Sequence, residues 1–373
     1  MSDADRSNHA AGPCIAVVVT LAVLLMAVSP SRLQAAGCEG QHEAAPHVYL
    51  GGWVPGALDD PRLQLAQDPL GQTNDIIRKP LAIVNRWEHW GLDNDGGVDE
   101  SWMHRVAATG AIPMYTWDPW NPDVEAPDVQ QGFLPRDIAA GRHDAYIGAV
   151  ADELASFNGP VFVRFAQEMN GTWYPWGRHQ NSPEEFIAAW RHVHELVTSR
   201  GAGHVTWVWN PSEKHHPEST GLWYPGDDVV DWVAVDGYNW DDWDYWHDRS
   251  GNTWRTIDQV FSTSLAEIAS FAGADKPRMI AETASTERPG DPELKAAWIC
   301  DAFLRALPEG LPEVRAVIWF QEEKYESDRP FFWPLDTSPA SAEAFAAAVA
   351  SPYYVGGSRE LISALGRNKI SPP

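Results

Sequence analysis

From residue 48 onward, the chain alternates short apolar runs rich in β-forming residues with longer stretches of helical periodicity. Eight of the runs have the length and composition of strands, and most are continuously apolar. A continuous apolar run is typical of a strand in a parallel sheet, where both faces are covered. The predicted strands are residues 48–53, 80–87, 112–117, 161–168, 204–210, 232–239, 278–284 and 314–320.

The stretches between these runs predict helices. The clearest is residues 182–201, in which Ser182 is suited to the N-cap, Pro183 to the first helical position and Gly201 to the position beyond the end. Further helices are expected near residues 99–109, 143–157, 255–272, 292–307 and 339–350.

Strands that alternate with helices in this way predict an α/β protein with a (β/α)8 (TIM) barrel. A doubly wound open sheet is the alternative, but no glycine-rich phosphate loop follows any strand. The sequence of 373 residues shows neither an internal repeat nor a linker, so a single domain is expected over residues 45–355. Residues 356–373 are expected to form a C-terminal tail.

The first 36 residues have the pattern of a signal peptide. An apolar run from Ile15 to Val28 is interrupted only by Thr20 and is too short to span a bilayer. Cleavage near Ala36 predicts export, to the periplasm or out of the cell. The alternative is a lipoprotein signal whose lipidated residue is Cys38, and only in that case is the membrane an expected partner.

Removal of the signal leaves two cysteines, Cys38 and Cys300, which are able to form one disulfide in an oxidising compartment. If Cys38 is lipidated instead, Cys300 is a lone helical cysteine, for which burial is more typical than reactivity. The cysteine spacing fits no zinc site, and no histidine pair follows the i, i+4 pattern of a metal-binding helix. The sequence therefore indicates no metal and no cofactor.

The chain has 27 basic and 52 acidic residues, for a net charge of −25. Such acidity disfavours nucleic acid and anionic membrane surfaces as partners. The chain also contains 20 tryptophans, and indole faces pack well against the C–H faces of sugar rings, although a tryptophan-rich core is the alternative explanation. The expected partner is a neutral polysaccharide or oligosaccharide, bound by a monomer.

Polar side chains gather where the predicted strands end, which is the face of a barrel that carries the active site. The fourth strand ends in Gln167, Glu168 and Asn170, and the loop that follows contains Trp173 and Trp176. Ordinary connecting loops are less aromatic than this one, so its rings are expected to cover a ligand. Packing of the rings back onto their own domain is the alternative.

The seventh strand ends in Glu282. Glycoside hydrolysis needs two carboxyl groups, one that protonates the leaving oxygen and one that attacks the anomeric carbon or activates water. Because strands four and seven face each other across a barrel mouth, Glu168 and Glu282 are the predicted pair. Either residue alone is a weak signal, since a glutamate at a strand end is often a structural hydrogen-bonding group.

Four motifs occur in order along the chain: RFAQEMNGTWYPWG, WVWNPS, WVAVDGYNW and RMIAETAS. Together they resemble the successive signatures of glycoside hydrolase family 26, over most of the chain. The resemblance implies a retaining (β/α)8 glycosidase in which Glu168 is the acid/base and Glu282 the nucleophile. It also implies that Tyr238 hydrogen-bonds near the nucleophile and that Trp173 and Trp319 line sugar subsites.

Other residues expected to bind substrate are Gln167, Asn170, Trp176 and Trp240, which opens an aromatic and acidic loop. Trp176, together with Trp173, is also expected to form an apolar wall that raises the pKa of the acid/base. Mannanases of the family usually have histidine where this chain has Gln167. Glutamine donates to a sugar hydroxyl but does not titrate near neutral pH, so the change weakens the substrate assignment.

The sequence thus predicts a retaining endo-β-glycanase that hydrolyses β-1,4-mannan. Within the same class, the alternatives are a β-1,3-1,4-glucanase (lichenase) and an enzyme that processes an exopolysaccharide. The alternative from another class is a non-catalytic carbohydrate-binding protein, although a binder has no need of two carboxyl groups.

Overall fold

The computed structural model describes residues 38, 47–91, 97–122, 124, 130–213, 216–241, 254–326 and 329–373. The predicted signal peptide and most of the aromatic and acidic loop that follows Trp240 lie outside the described residues. Within the described ranges, none of the helices combines the length and the apolar character that a bilayer crossing needs.

Eight parallel strands close into a barrel, because the first strand pairs with both the second and the eighth. This closure confirms the predicted (β/α)8 fold and excludes the doubly wound sheet. The strands are β1 (Val48–Trp53), β2 (Ile83–His89), β3 (Ile112–Asp118), β4 (Phe162–Phe165), β5 (Thr206–Trp209), β6 (Trp232–Asp236), β7 (Arg278–Thr283) and β8 (Val314–Phe320).

The helices of the described residues are α1 (Pro69–Ile77), α2 (Glu100–Thr109), α3 (Pro135–Ala139), α4 (Asp144–Ser156), α5 (Pro183–Ser199), α6 (Ile257–Ile268), α7 (Pro292–Asp301), α8 (Pro339–Val349) and α9 (Arg359–Leu365). Helix α5 begins as predicted, because the Ser182 hydroxyl accepts a hydrogen bond from the backbone N–H of Glu185, and Pro183 takes the first helical position. A π-helical segment, Ala302–Gly310, continues α7.

The described part of the chain has three further short strands outside the barrel. β9 (Lys324–Glu326) and β10 (Arg329–Phe331) form an antiparallel hairpin directly after β8, and β11 (Tyr354–Val355) pairs with the beginning of β1. Because the hairpin follows the C-terminal end of a barrel strand, it stands on the face where barrel enzymes carry their active sites.

The segment expected as a C-terminal tail packs against the opposite end of the barrel. Ile370 is 3% exposed and belongs to the apolar cluster inside the barrel. The indole N–H of Trp232 donates to the Ile370 carbonyl at 2.7 Å, and the Tyr49 hydroxyl donates to the Ser371 carbonyl at 3.1 Å. The segment therefore closes the N-terminal end of the barrel and shares its core.

A disulfide joins Cys38 to Cys300 in α7, with 5.1 Å between the Cα atoms. The sequence left this pairing open. The bond ties the start of the described chain to the helical layer of the barrel, 262 residues further along.

Candidate active site

The turn that follows β4 delivers the first of the two predicted glutamates. The strand ends at Phe165, three residues earlier than the sequence pattern predicts, because Ala166 and Glu168 have φ values of 47° and 54°. Such values are unfavourable for residues with a Cβ, by about 1–2 kcal/mol each. The backbone N–H of Glu168 donates to the carbonyl of Asn210 at 2.7 Å, which fixes the turn against β5.

The environment of the Glu168 carboxyl group suits a residue that both gives and takes a proton. Burial and, secondarily, the charge of Glu282 raise its pKa to about 7. Three groups oppose the rise: the indole N–H of Trp173, which donates to Oε2 at 2.7 Å, and the charges of Lys324 and Arg164. The expectation that Trp173 raises this pKa is therefore wrong, because its hydrogen bond favours the carboxylate.

The carboxyl group of Glu282, at the end of β7, is held by two donors. Arg164 donates to Oε1 at 2.6 Å, and the Tyr238 hydroxyl donates to Oε2 at 2.5 Å. Both oxygens act as acceptors, as a carboxylate does, and the two bonds fix the orientation of the group. The structure places Tyr238 beside this glutamate, as the family resemblance implies.

Arg164 lies inside the barrel and is completely buried. Besides its bond to Glu282, it donates to both oxygens of Asp236 at 3.0 and 3.1 Å, and to Thr116 Oγ1 at 2.7 and 2.9 Å. The ring of Trp87 lies 5.3 Å from the guanidinium carbon. One planar fork of donors thus holds groups from three other strands, which is a role that guanidinium geometry suits.

The sequence contains the signal for this residue. Arg164 interrupts the apolar run of the fourth strand, and a charged side chain in a strand covered on both faces needs buried partners.

An aromatic cluster stands beside Glu282. Tyr238 stacks on Trp333 with ring centroids 4.3 Å apart, and Trp240 packs edge-on against Trp333 at 4.7 Å and Phe331 at 5.0 Å. The Nζ atom of Lys324 lies 5.6 Å from the Trp333 ring and 5.9 Å from the Trp240 ring. Trp240 is partly exposed, as a subsite wall must be, whereas Trp333 is buried behind it.

A second set of aromatic side chains lines the ends of β1 to β4. Trp53 packs edge-on against Trp87 at 4.6 Å, and Trp120 packs in the same way against Tyr174 at 5.6 Å. The Trp120 indole donates to Nδ1 of His89 at 2.7 Å, so the proton of the neutral imidazole belongs on Nε2. The four aromatic residues are partly exposed, and together they form a surface suited to sugar rings.

Trp319 does not line the site, which contradicts the sequence-based expectation. It is 2% exposed and packs against Phe303 and Phe345 in the layer between strands and helices. Because successive side chains of a strand point to opposite sides, the next residue, Phe320, faces the barrel mouth, where it contacts Tyr238.

Two other expected substrate-binding residues support the loops instead. Trp176 is fully buried, stacks on Tyr174 at 4.5 Å and donates to the Gln167 carbonyl at 2.6 Å. The amide group of Asn170 exchanges two hydrogen bonds of 2.9 Å with the backbone of Ser212, which joins the loops after β4 and β5. With these partners, both side chains brace the loops around the site.

Gln167 is also buried, at 1% exposure, and its Nε2 lies 3.5 Å from Oδ2 of Asp118. Burial raises the pKa of Asp118 to about 8, against the charge of Arg164 and the Gln167 contact. Among the described residues, Asp118 Oδ1 and Gln167 Oε1 have no hydrogen-bond partner. Across the same residues, no group of three or more acidic, histidine or cysteine side chains is placed to hold a metal ion.

Comparison with known proteins agrees with this arrangement. Residues 134–286, which include both glutamates, match the sequence model of glycosyl hydrolase family 26. The chain belongs to glycosyl hydrolase family 26.

Several relatives of this family-26 chain have described activities. It is 31% identical to Endoglucanase H of Acetivibrio thermocellus over 312 residues, which are 81% of this chain and 30% of the relative. It is 31% identical to a mannan endo-1,4-beta-mannosidase of Bacillus subtilis over 196 residues, 48% of this chain and 52% of the relative. The chain thus spans about a third of the first relative's length and about half of the second's.

Solved structures show the same fold. A GH26 beta-mannanase from Bacteroides ovatus aligns over 83% of this chain and 90% of its own, with a TM-score of 0.56 and 16% identity. The catalytic domain of a GH26 endo-beta-1,4-mannanase from Bacillus sp. JAMB-750 covers 83% of this chain and 87% of its own, with a TM-score of 0.59 and 16% identity. At these identities the likeness concerns the fold.

The central guanidinium provides the first test. Arg164→Met should lower the free energy of unfolding by about 3–5 kcal/mol, because Asp236 and Glu282 would then be buried without their cation. Arg164→Lys should lower the free energy of unfolding by less, since lysine keeps the positive charge although it lacks the planar fork of donors. Urea unfolding followed by tryptophan fluorescence measures both.

The matched control is Arg62→Met, which removes an exposed ion pair with Asp60 and should leave the free energy of unfolding close to that of the wild type. If Arg164→Met were as stable as that control, Arg164 would not be the anchor of the carboxyl groups.

Proposed function

We propose that this chain is a retaining endo-β-glycanase in which Glu168 is the acid/base and Glu282 the nucleophile. The observation that carries the proposal is the contrast between the two carboxyl groups. Glu168 has a pKa of about 7, whereas Glu282 accepts hydrogen bonds from a guanidinium and a phenol. Two carboxyl groups in different environments are what the acid and the nucleophile of a glycosidase need.

The first chemical step uses the protonated form of Glu168. Its proton passes to the glycosidic oxygen while an oxygen of Glu282 attacks the anomeric carbon, and the electron pair of the broken C–O bond stays with the leaving sugar. The product is a covalent glycosyl-enzyme on Glu282. Retaining enzymes hold their two carboxyl groups about 5–5.5 Å apart for this purpose.

The second step uses the carboxylate form of Glu168. Forming the glycosyl ester removes the negative charge of Glu282, which is one cause of the raised pKa of Glu168. The pKa of Glu168 then falls, so that at neutral pH the residue ionises and takes a proton from the attacking water. The Trp173 indole, which donates to Oε2, stabilises that carboxylate.

The proposed substrate is a neutral β-glycan, and β-1,4-mannan is the first candidate because relatives named mannan endo-1,4-beta-mannosidase match the chain. A β-glucan is the second candidate, because Endoglucanase H matches 81% of the chain. Partly exposed aromatic residues on both sides of the mouth, Trp240 on one and Trp120 with Tyr174 on the other, suit a chain that passes across the barrel.

We also propose that the protein is exported as a soluble monomer whose catalytic domain is residues 45–355 together with the packed tail. The disulfide supports export without a lipid anchor, because the Cys38 sulfur that would carry lipid is bonded to Cys300. Mass spectrometry of the protein secreted by a bacterial host should find a peptide that contains Cys38 linked to one that contains Cys300. A diacylglyceryl group on Cys38 would contradict this proposal.

Substitution of each glutamate tests the mechanism. Glu282→Ala should abolish release of reducing ends from mannan, lichenan and xylan while the variant still binds the polysaccharide that the wild type hydrolyses. Glu168→Ala should lower kcat/KM about 10²–10⁴-fold on natural glycans, but far less on aryl glycosides, whose leaving group needs no proton. Its kcat on aryl glycosides should still fall, because the second step lacks its base. Azide, which needs no general base, should restore turnover of the aryl glycosides.

Glu313→Ala is the control, because it removes an exposed carboxylate from the opposite end of the barrel. Normal turnover by Glu282→Ala would remove this residue from the mechanism. A wild type that binds glycan but releases no reducing ends would instead favour the non-catalytic carbohydrate-binding protein.

A further inference from the structure

The β9–β10 hairpin brings a lysine to the active-site face. Lys324 is the first residue of β9 and pairs with Phe331 of β10, so the ladder fixes its backbone. Its ammonium group lies against two rings, 5.6 Å from the centroid of Trp333 and 5.9 Å from that of Trp240. A cation at these distances is attracted by the ring faces, which holds the side chain in place.

This position connects the lysine with both glutamates. Trp333 stacks on Tyr238, whose hydroxyl donates to Glu282, so the ring stack leads to the nucleophile. The charge of Lys324 also acts on Glu168, where it favours the carboxylate. The side chain belongs to none of the motifs that resemble the family, because it lies in the segment after β8.

Charged groups from several elements act on Glu168. Glu282 on β7 opposes ionisation of Glu168, and Arg164 on β4 favours it. The guanidinium of Arg164, however, forms ion pairs with Asp236 and Glu282. Burial is the main cause of the raised pKa of both Asp118 and Asp236, and the charge of Glu168 adds to the rise in each. The charge of Lys324 acts on Glu168 in the same direction as that of Arg164 and against those of the neighbouring carboxyl groups.

We propose that Lys324 is a positioning residue for the reaction: held against Trp240 and Trp333, its ammonium group stabilises the ionised acid/base Glu168, the form that activates water in the second step. This inference rests on the proposed function for the roles of the two steps. It gives the β9–β10 hairpin a part in catalysis.

The sign of the effect follows from the charge. Removing Lys324 removes a cation that favours the carboxylate, so Glu168 should bind its proton more tightly. The rate of the first step, measured as kcat/KM, should then persist to higher pH. The rate of the second step should fall near neutral pH, because less of the carboxylate is present. A residue that only braced the hairpin would change stability or KM without moving either pH profile.

The direct test is an NMR titration of the Trp173 indole N–H, whose donation to Glu168 makes its shift report ionisation without any substrate. The signal is assigned by its loss in Trp173→Phe. The midpoint in Lys324→Met should rise by about half a pH unit, which is the size expected for loss of one nearby, partly screened charge. Lys324→Arg keeps the charge and should titrate like the wild type.

Two further variants make the result decisive. Lys324→Gln serves if the methionine variant does not fold, as judged by its melting temperature. Lys369→Met removes a cation that pairs with Asp231 at the other end of the barrel and should leave the midpoint unchanged. Equal midpoints in wild type, Lys324→Met and Lys324→Gln, or a fall instead of a rise, would overturn the proposal.

Kinetics separates this inference from the function on which it rests. With an active wild type, the alkaline limb of kcat/KM should move to higher pH in Lys324→Met by the amount that the NMR midpoint moves. If the wild type is active but the alkaline limb of kcat/KM does not move in Lys324→Met, only the role of Lys324 is overturned. A wild type that hydrolyses no glycan would overturn the proposed function and the role of Lys324 in it, although the titration would still show whether the lysine acts on Glu168.

Discussion

The buried guanidinium of Arg164 is the constraint on which the site depends. A cation inside a barrel is tolerated only when carboxylates and other acceptors surround it, and here Asp236, Glu282 and Thr116 do so from three different strands. The bond from Arg164 to Oε1 also fixes the position of the Glu282 carboxylate, so that Oε2 lies beside the Tyr238 hydroxyl. Fold and chemistry are therefore joined at one residue, because the ion pairs that allow Arg164 to be buried also orient the proposed nucleophile.

The second glutamate is held by different means. Within the described ranges, no guanidinium donates a hydrogen bond to Glu168; a left-handed backbone turn and the Trp173 indole position it instead. Its raised pKa reflects burial and the charge of Glu282, so the protonation of one carboxyl group depends on the charge of the other. A barrel that brings strand ends together can thus give two chemically identical side chains different roles through their surroundings.

The sequence predicts the barrel and the two glutamates because both depend on local patterns: apolar runs, cap residues and polar groups at strand ends. The predictions that fail are those that depend on tertiary packing. Trp319 and Phe320 are adjacent aromatic residues, and only the observed register shows which of them faces the mouth. Trp176 and Lys324 depend on contacts with residues distant in sequence, and no pattern along the chain reveals that the first is buried and the second lies against two indoles.

The central claim is a double displacement in which Glu282 attacks and Glu168 serves first as acid and then as base. The most direct measurement is proton NMR of the products of a β-linked oligosaccharide in the first minutes of hydrolysis, before the new reducing end equilibrates. The account predicts that the β-anomer appears first, because two successive inversions at the anomeric carbon restore its configuration. Initial formation of the α-anomer would contradict the account, since it would require water to attack the sugar directly.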